Sequence, residues 1–277
     1  IDLMGYTSGT RMGILSMRVA PIQISYLAYP STTGSDQIDY IIADKNIIPQ
    51  NKKCFYTEKV VYLPKTFICF DDSTKISSTY KPNQFANRTK NSFILVAFHR
   101  VEKLSLSTIN CWIRILSEIE NSYLWLKKPH KIAINNLLDL FESKNIDSSR
   151  IVFAERVESY EEHLARYKFG DLLLDTFVYN GHTTTIESLW AGLPVITLEG
   201  NSFASRVSSS ILKSIGFEEL IANTKDEYIE KVIFYSKNKN ELNKFKKRLL
   251  KLKSEHSLFN TKDFVQNFEN VLKKIKK

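Results

Sequence analysis

Cysteine is scarce in this chain, and its scarcity sets the first limits. Cys54, Cys69 and Cys111 are scattered through 277 residues. An odd number without CxxC spacing supplies neither a disulfide framework nor a zinc site, and it points to a reducing, cytoplasmic setting. No apolar run is long enough to span a bilayer, and no signal-peptide pattern is found. There is no GxGxxG, P-loop, HExxH, nucleophile elbow or DxD-like acidic pair. Those absences argue against a dehydrogenase, an NTPase, a zinc protease, a serine hydrolase and a metal-dependent sugar transferase. His99 and His130 lack ligand-spaced partners, so no metal is expected. No RNA-binding aromatic motif or zinc-finger spacing occurs, so no nucleic-acid partner is expected either. No short internal repeat is seen.

What is present is ordinary in amount. Hydrophobic residues make up 43% and charged residues 25%, as in a soluble globular protein with ample core. Net charge is +9, from 39 Lys+Arg against 30 Asp+Glu. Much of the excess follows Lys237. There Leu242, Phe245, Leu249 and Leu252 recur at helical spacing, so the lysines read as the solvated face of amphipathic helices. Ile1 begins the chain inside a plausible strand, which suggests that an N-terminal part lies upstream.

Along the chain, Ile22–Pro30, Asp39–Asp44 and Lys59–Pro64 read as strands of a partial α/β unit over residues 1–64. A Gly/Ser/Thr-rich turn, Gly5–Arg11, precedes them. Residues 65–91 are polar and aperiodic and read as an interdomain linker. Over 92–277 strands and helices alternate. Phe93–Phe98, Tyr123–Leu126, Ile151–Ala154, Leu172–Asp175 and Val195–Leu198 are the predicted strands. Helices are predicted at Ser107–Ile119, Lys131–Ser143, Ser159–Lys168 and Ser202–Ile215, and after Thr224, Glu241 and Lys262. Ser159-x-x-Glu162 is a capping box. Trp112, Trp125 and Trp190 are assigned to the core. Repeated units of this kind imply an α/β fold with a doubly wound parallel sheet.

Such sheets bind ligands outside the carboxyl ends of their strands. Arg100 and Lys103 follow one strand end; Ser159, Tyr160, His163 and Arg166 follow another. A third leads into YNGHTTTIESLWAGLPVIT, Tyr179–Thr197. Asn180-Gly181 is a strong turn. His182, Thr183, Thr184 and Thr185 then place a ring and hydroxyls at a helix N-terminus, where free N–H groups and the helix dipole favour phosphate. Glu187 lies one turn further on, able to meet ligand hydroxyls. Lys103 and Arg100 could neutralise a diphosphate. These groups converge on a site for a nucleotide or another phosphorylated ligand.

The segments GYTSGTR, RVAPIQ, YLAYPSTTGSDQIDYIIAD, EKVVYLP, EEHLARY, LLLDT, YNGHTTTIESLWAGLPVIT, SFASRVSSSIL and SLFNTKDF occur in this order. Together they resemble the catalytic region of O-linked N-acetylglucosaminyltransferases, the SPINDLY-like group included. The resemblance covers nearly the whole chain. It implies a GT-B fold, two Rossmann-like domains across a cleft. It implies inverting, metal-independent transfer of N-acetylglucosamine from UDP-GlcNAc to Ser or Thr of proteins, with the UDP-sugar as co-substrate and no cofactor.

Residue by residue, Lys103 resembles the lysine on the diphosphate, and with His182 it is expected to be catalytic. His163 is similar to the histidine packed on the uridine, with Arg166 beside the base. His182, Thr183 and Thr184 look like the phosphate-binding His-Thr-Thr, next to Asn180 and Gly181. Glu187 stands where an acid meets the ribose. Tyr179, and Thr7 from the other domain, are expected near the sugar.

Three positions depart from the family. Arg100 replaces a neutral amide, Tyr160 replaces a basic residue, and Glu187 is one methylene longer than the aspartate of animal members. The resemblance also implies missing upstream parts: the first strands with their histidines, and TPR repeats that choose the protein or peptide acceptor. The chain alone is expected to be inactive. Other donors (GDP-fucose or UDP-glucose) and a non-catalytic nucleotide-binding scaffold are the alternatives.

Overall fold

A computed structural model describes residues 1–82 and 92–275. Near the start, α1 (Met12–Leu15) is a single turn with no buried residue. The first sheet is parallel and small, β1 (Ile24–Ser25), β2 (Tyr40–Ala43) and β3 (Lys59–Tyr62) in that order. The predicted strand Ile22–Pro30 is cut to two residues. Beyond Tyr26, Leu27 turns to φ +77°, a left-handed conformation that no strand accepts.

The second sheet holds β4 (Phe93–Ala97), β5 (Ser122–Lys127), β6 (Ile151–Ala154), β7 (Leu172–Leu174), β8 (Val195–Leu198) and β9 (Ile221–Ala222). Its order is β6-β5-β4-β7-β8-β9, and every pairing is parallel. All residues of β4 and β7 are buried, because helices cover both faces of a central parallel strand. The chain runs outward from β4 to β6, then returns to place β7 on the other side of β4. The gap between β4 and β7 is therefore the topological switch point, where such sheets open a crevice.

Capping residues set most helix starts. α2 (Leu106–Glu118) begins where Ser105 accepts from the Thr108 N–H. Its apolar stripe, Ile109, Trp112, Ile113 and Leu116, is buried as its spacing requires. α3 (Lys131–Glu142) is capped by His130, so that histidine has a structural role. α4 (Tyr160–Tyr167) carries the predicted capping box in full. α5 (Thr183–Trp190) stops at Gly192, whose φ of +87° is a helix-ending conformation.

α6 (Val207–Ser214) starts five residues later than the predicted Ser202. The Ser205 hydroxyl accepts from the Ser202 N–H at 3.0 Å, and Gly200 N–H bonds the Ser205 carbonyl. Those local bonds hold a turn in place of a first helical turn. α7 (Lys225–Lys237) starts at its Thr224 cap, and α8 (Lys239–Glu255) follows it directly. α8 buries Leu242, Phe245 and Leu249, the apolar stripe read from the sequence.

α9 (Thr261–Lys274) does not stay with the second sheet. Its Phe264 and Val271 join Ile24, Ile42 and Leu63 in a cluster on the first sheet. The Tyr26 and Phe268 rings lie 4.9 Å apart. Of the predicted linker 65–91, residues 83–91 lie outside the described residues. The preceding part is packed, with Phe67 fully buried and Phe70 N–H bonded to the Leu258 carbonyl.

A buried acid ties the two sheets together. Asp44, at the end of β2, accepts from the Ser210 hydroxyl on α6 at 2.9 Å and from the N–H groups of Ile47 and Phe67. Arg206 adds a bond to the Asn46 carbonyl at 3.1 Å. Among the described residues, no helix is long and apolar enough to cross a membrane.

Candidate functional site

At the switch point lies a cleft of about 550 Å³. Leu27, Ala28 and Ile68 form one wall. The other wall is Phe98, Arg100, Lys103, Lys127, His163, Tyr179, His182, Thr183, Thr184 and Glu187. A second cavity of about 660 Å³ adjoins it, with Lys127 and His163 common to both. Arg166, Ser159 and Tyr160 line that second cavity.

The loop between β7 and α5 is shaped by Asp175, which is fully buried. One of its oxygens accepts from the N–H groups of Thr176 at 2.8 Å and Gly181 at 2.7 Å. The other accepts from the Thr197 hydroxyl at 2.7 Å. A buried carboxylate persists only with such partners. Asn180 is also fully buried; its side chain donates to the Thr176 carbonyl at 2.6 Å. Its side chain is thus occupied inside the loop, and its carbonyl is what the cleft groups meet. Gly181 is required sterically: a Cβ there would stand 2.5 Å from the Thr185 hydroxyl and 3.0 Å from His99. The Thr185 hydroxyl itself is bound to the Gly181 carbonyl and to Ser208. The threonine hydroxyls that line the cleft are therefore those of Thr183 and Thr184.

Lys103 reaches the same loop from the β4 side. Its ammonium donates to the Asn180 carbonyl at 2.7 Å and lies 4.0 Å from the Tyr179 ring centroid. Tyr179 in turn stacks on His182, centroids 5.0 Å apart. Burial, opposed by Asp175 and reinforced by Arg100, brings the Lys103 pKa down to about 8. Burial and then the Lys103 charge bring His182 down to about 3, so its ring is neutral at ordinary pH. Its Nε2 is buried without a hydrogen-bond partner among the described residues. His182 is the N-cap of α5 and makes no side-chain cap bond. The first N–H groups of that helix therefore have no capping side chain, and Thr183 and Thr184 of its first turn line the cleft.

Glu187, one helical turn on from Thr183, also lines the cleft and is 7% exposed. It accepts from the Tyr160 hydroxyl at 2.8 Å, the Tyr167 hydroxyl at 3.1 Å and His163 Nε2 at 3.2 Å. Arg166 donates to His163 Nδ1 and, at 2.9 Å, to the Glu155 carbonyl. Burial and the Glu187 charge raise the Tyr160 hydroxyl well above the usual phenol range.

The structure thus gathers Arg100, Lys103, His163, Tyr179, His182, Thr183, Thr184 and Glu187 on one surface, with Arg166 just behind His163. Thr7 does not join the lining, and its hydroxyl donates to the Met4 carbonyl at 2.7 Å. The first unit contributes Leu27 and Ala28 in its place, and Ile68 of the segment that follows it completes that wall. Sequence reasoning missed Lys127, although it ends β5 at the same sheet edge. It also missed the organising role of Asp175, for which an acid ending an apolar strand was the available signal. His99 is buried, with Nε2 donating to the Leu174 carbonyl at 3.1 Å.

Two facing parallel α/β units with a basic, hydroxyl-rich cleft at a switch point define the GT-B class. Residues 1–91 and 77–268 match the Glycosyl transferase family 41 model, and the chain belongs to that family. It is 34% identical, over 97% of its length, to an Arabidopsis thaliana protein named as a probable UDP-N-acetylglucosamine–peptide N-acetylglucosaminyltransferase SEC. It is 32% identical, over 98%, to a Solanum lycopersicum protein named as the corresponding probable transferase SPINDLY. The chain spans 28% and 29% of those two relatives. Among solved structures, the Thermobaculum terrenum O-GlcNAc transferase superposes with a TM-score of 0.83 at 26% identity. That match covers 95% of this chain and 49% of the other.

Proposed function

We propose that this chain forms the donor-binding part of a protein glycosyltransferase. The enzyme moves N-acetylglucosamine from UDP-N-acetylglucosamine to Ser or Thr, with inversion and without a metal. The observation that carries this reading is the convergence of Lys103, the α5 N-terminus and Glu187 on one cleft at the switch point. The relatives' names supply the donor and the peptide acceptor.

In this reading the diphosphate lies against Lys103, Thr183 and Thr184. The acceptor hydroxyl attacks the anomeric carbon, its proton passing to water, while the bond to the diphosphate oxygen breaks. Negative charge then grows on the leaving oxygen. The Lys103 ammonium and the free N–H groups of α5 meet that charge in a largely buried setting, each worth about 3 kcal/mol in comparable sites. Charge neutralisation therefore falls to fixed protein groups, with Arg100 and Lys127 adding positive potential at the rim. His182 acts as a neutral ring that holds Tyr179 and offers hydrogen bonding, because its lowered pKa denies it a charge. Glu187 takes the ribose.

The test has two parts. UDP is titrated into the parent chain and into Lys103→Ala and His182→Ala, with folding checked by circular dichroism. Both variants are expected to bind more weakly, and unchanged affinity in both refutes the diphosphate placement. The complete protein is then assayed with UDP-GlcNAc, UDP-glucose and GDP-fucose. Neither transfer to peptide nor donor hydrolysis with any of them would refute the enzyme reading.

A further inference from the structure

The three protein bonds to Glu187 limit what it can still do for a ligand. An ionised carboxylate offers about four lone-pair sites. The Tyr167 hydroxyl and His163 both reach Oε2, at 3.1 Å and 3.2 Å. The Tyr160 hydroxyl reaches Oε1 at 2.8 Å. The His163 bond is a true donation to the carboxylate. Arg166 can only donate, and it points at His163 Nδ1. Nδ1 must therefore carry the lone pair, which leaves the ring proton on Nε2, facing Glu187. Among the described residues these three side chains are the hydrogen-bond partners of Glu187. One acceptor site is left, on Oε1, and Glu187 borders the cleft.

We infer that Tyr160 is a specificity-determining residue: with Oε2 already filled by Tyr167 and His163, it takes one of the two acceptor sites on Oε1 and so restricts Glu187 to one hydroxyl of the ligand's ribose. A carboxylate with both oxygens free can grip a cis-diol with one oxygen per hydroxyl. Here Oε2 is filled and Oε1 is shared with Tyr160, so the second ribose hydroxyl must find another partner or water. Tyr160 suits this role because it comes from α4 while Glu187 comes from α5. The phenol bridges the two helices at the wall between the two cavities. Tyr160 is 47% exposed, so the hydroxyl can be removed without opening the core.

The inference rests on the nucleotide reading of the cleft, and its test separates the two. UDP, 2′-deoxy-UDP and 3′-deoxy-UDP are titrated into the parent chain and into Tyr160→Phe by calorimetry. In the parent, one deoxy analogue is expected to bind at least about tenfold more weakly than UDP, as for a lost hydrogen bond to a charged acceptor. The other should stay within about threefold. In Tyr160→Phe, Oε1 gains a free site, and the second analogue should now be penalised as well. UDP binding with equal penalties for both analogues in the parent, or with an unchanged pattern in Tyr160→Phe, overturns the inference alone. Absence of UDP binding to the parent overturns the nucleotide reading, and this inference with it.

Discussion

The two ends of the cleft are built on opposite plans. Around Glu187, Tyr160, Tyr167, His163 and Arg166 form a branched chain of hydrogen bonds that leaves one buried polar atom, Arg166 Nε, without a partner among the described residues. Around Lys103 the groups are left short of partners. Its ammonium has one carbonyl and a ring face, and the neighbouring His182 Nε2 has nothing among the described residues. A satisfied network fixes geometry before the ligand arrives. An under-satisfied one leaves positive charge and polar atoms that an incoming anion can engage. The first end is thus suited to select a ligand, and the second to bind charge.

The strongest way to break the contrast is to remove what supports the poised end. Asp175→Ala strips partners from the Thr176 and Gly181 N–H groups and the Thr197 hydroxyl. Each buried orphan costs about 1–3 kcal/mol, so a loss of several kcal/mol is expected in urea unfolding. A destabilisation below about 1 kcal/mol would show that Asp175 does not organise the loop. Lys103→Ala comes next. It should weaken UDP binding on the order of a hundredfold while leaving the Glu187 network intact. Tyr167→Phe strikes the satisfied end and should cost roughly 1.5–3 kcal/mol in stability, with UDP affinity changed far less than by Lys103→Ala. If Tyr167→Phe weakened UDP more than Lys103→Ala did, the division of labour would be wrong.

Much of the poised end was legible in the sequence, because a local rule reveals it. Lys103 and the His182–Thr184 run each follow an apolar strand, and parallel sheets bring such ends together. The satisfied end was only half legible. Glu187 stood out as a carboxylate on an apolar helix, but Tyr160 is 27 positions away, and no periodicity links a residue on α4 to one on α5. Read against the family pattern alone, Tyr160 looks like a lost donor contact; in space it is a partner of Glu187. The return of α9 to the first sheet was hidden for the same reason, since amphipathic spacing shows that a helix has a buried face and not what covers it. Leu27 looked like a strand residue by composition, and its left-handed turn depends on tertiary packing.

The subtlest contrast is in pH, and here Lys103 separates ligand binding from stability. Its pKa falls from an ordinary 10.5 to about 8 in the folded chain. A lowered pKa on a base means that the unfolded chain holds more protons between these values. The penalty of keeping Lys103 charged is therefore fully present below about pH 8, and the free protein gains stability as pH rises from about 8 toward 10.5. Donor binding, as proposed, should run the other way. A diphosphate favours the ammonium, so affinity is greatest below about pH 8 and falls by up to tenfold per pH unit above it. UDP-GlcNAc is the suitable probe, because its diester diphosphate has no ionisation in this range. Lys103→Met should remove both effects: weaker binding without this pH dependence, and a higher melting temperature near pH 7. Parent affinity that is flat from about pH 7 to about pH 9 would show that the ammonium does not meet the diphosphate. The Glu187 end offers an internal control, since Tyr160→Phe leaves Lys103 in place and should preserve the parent's slope.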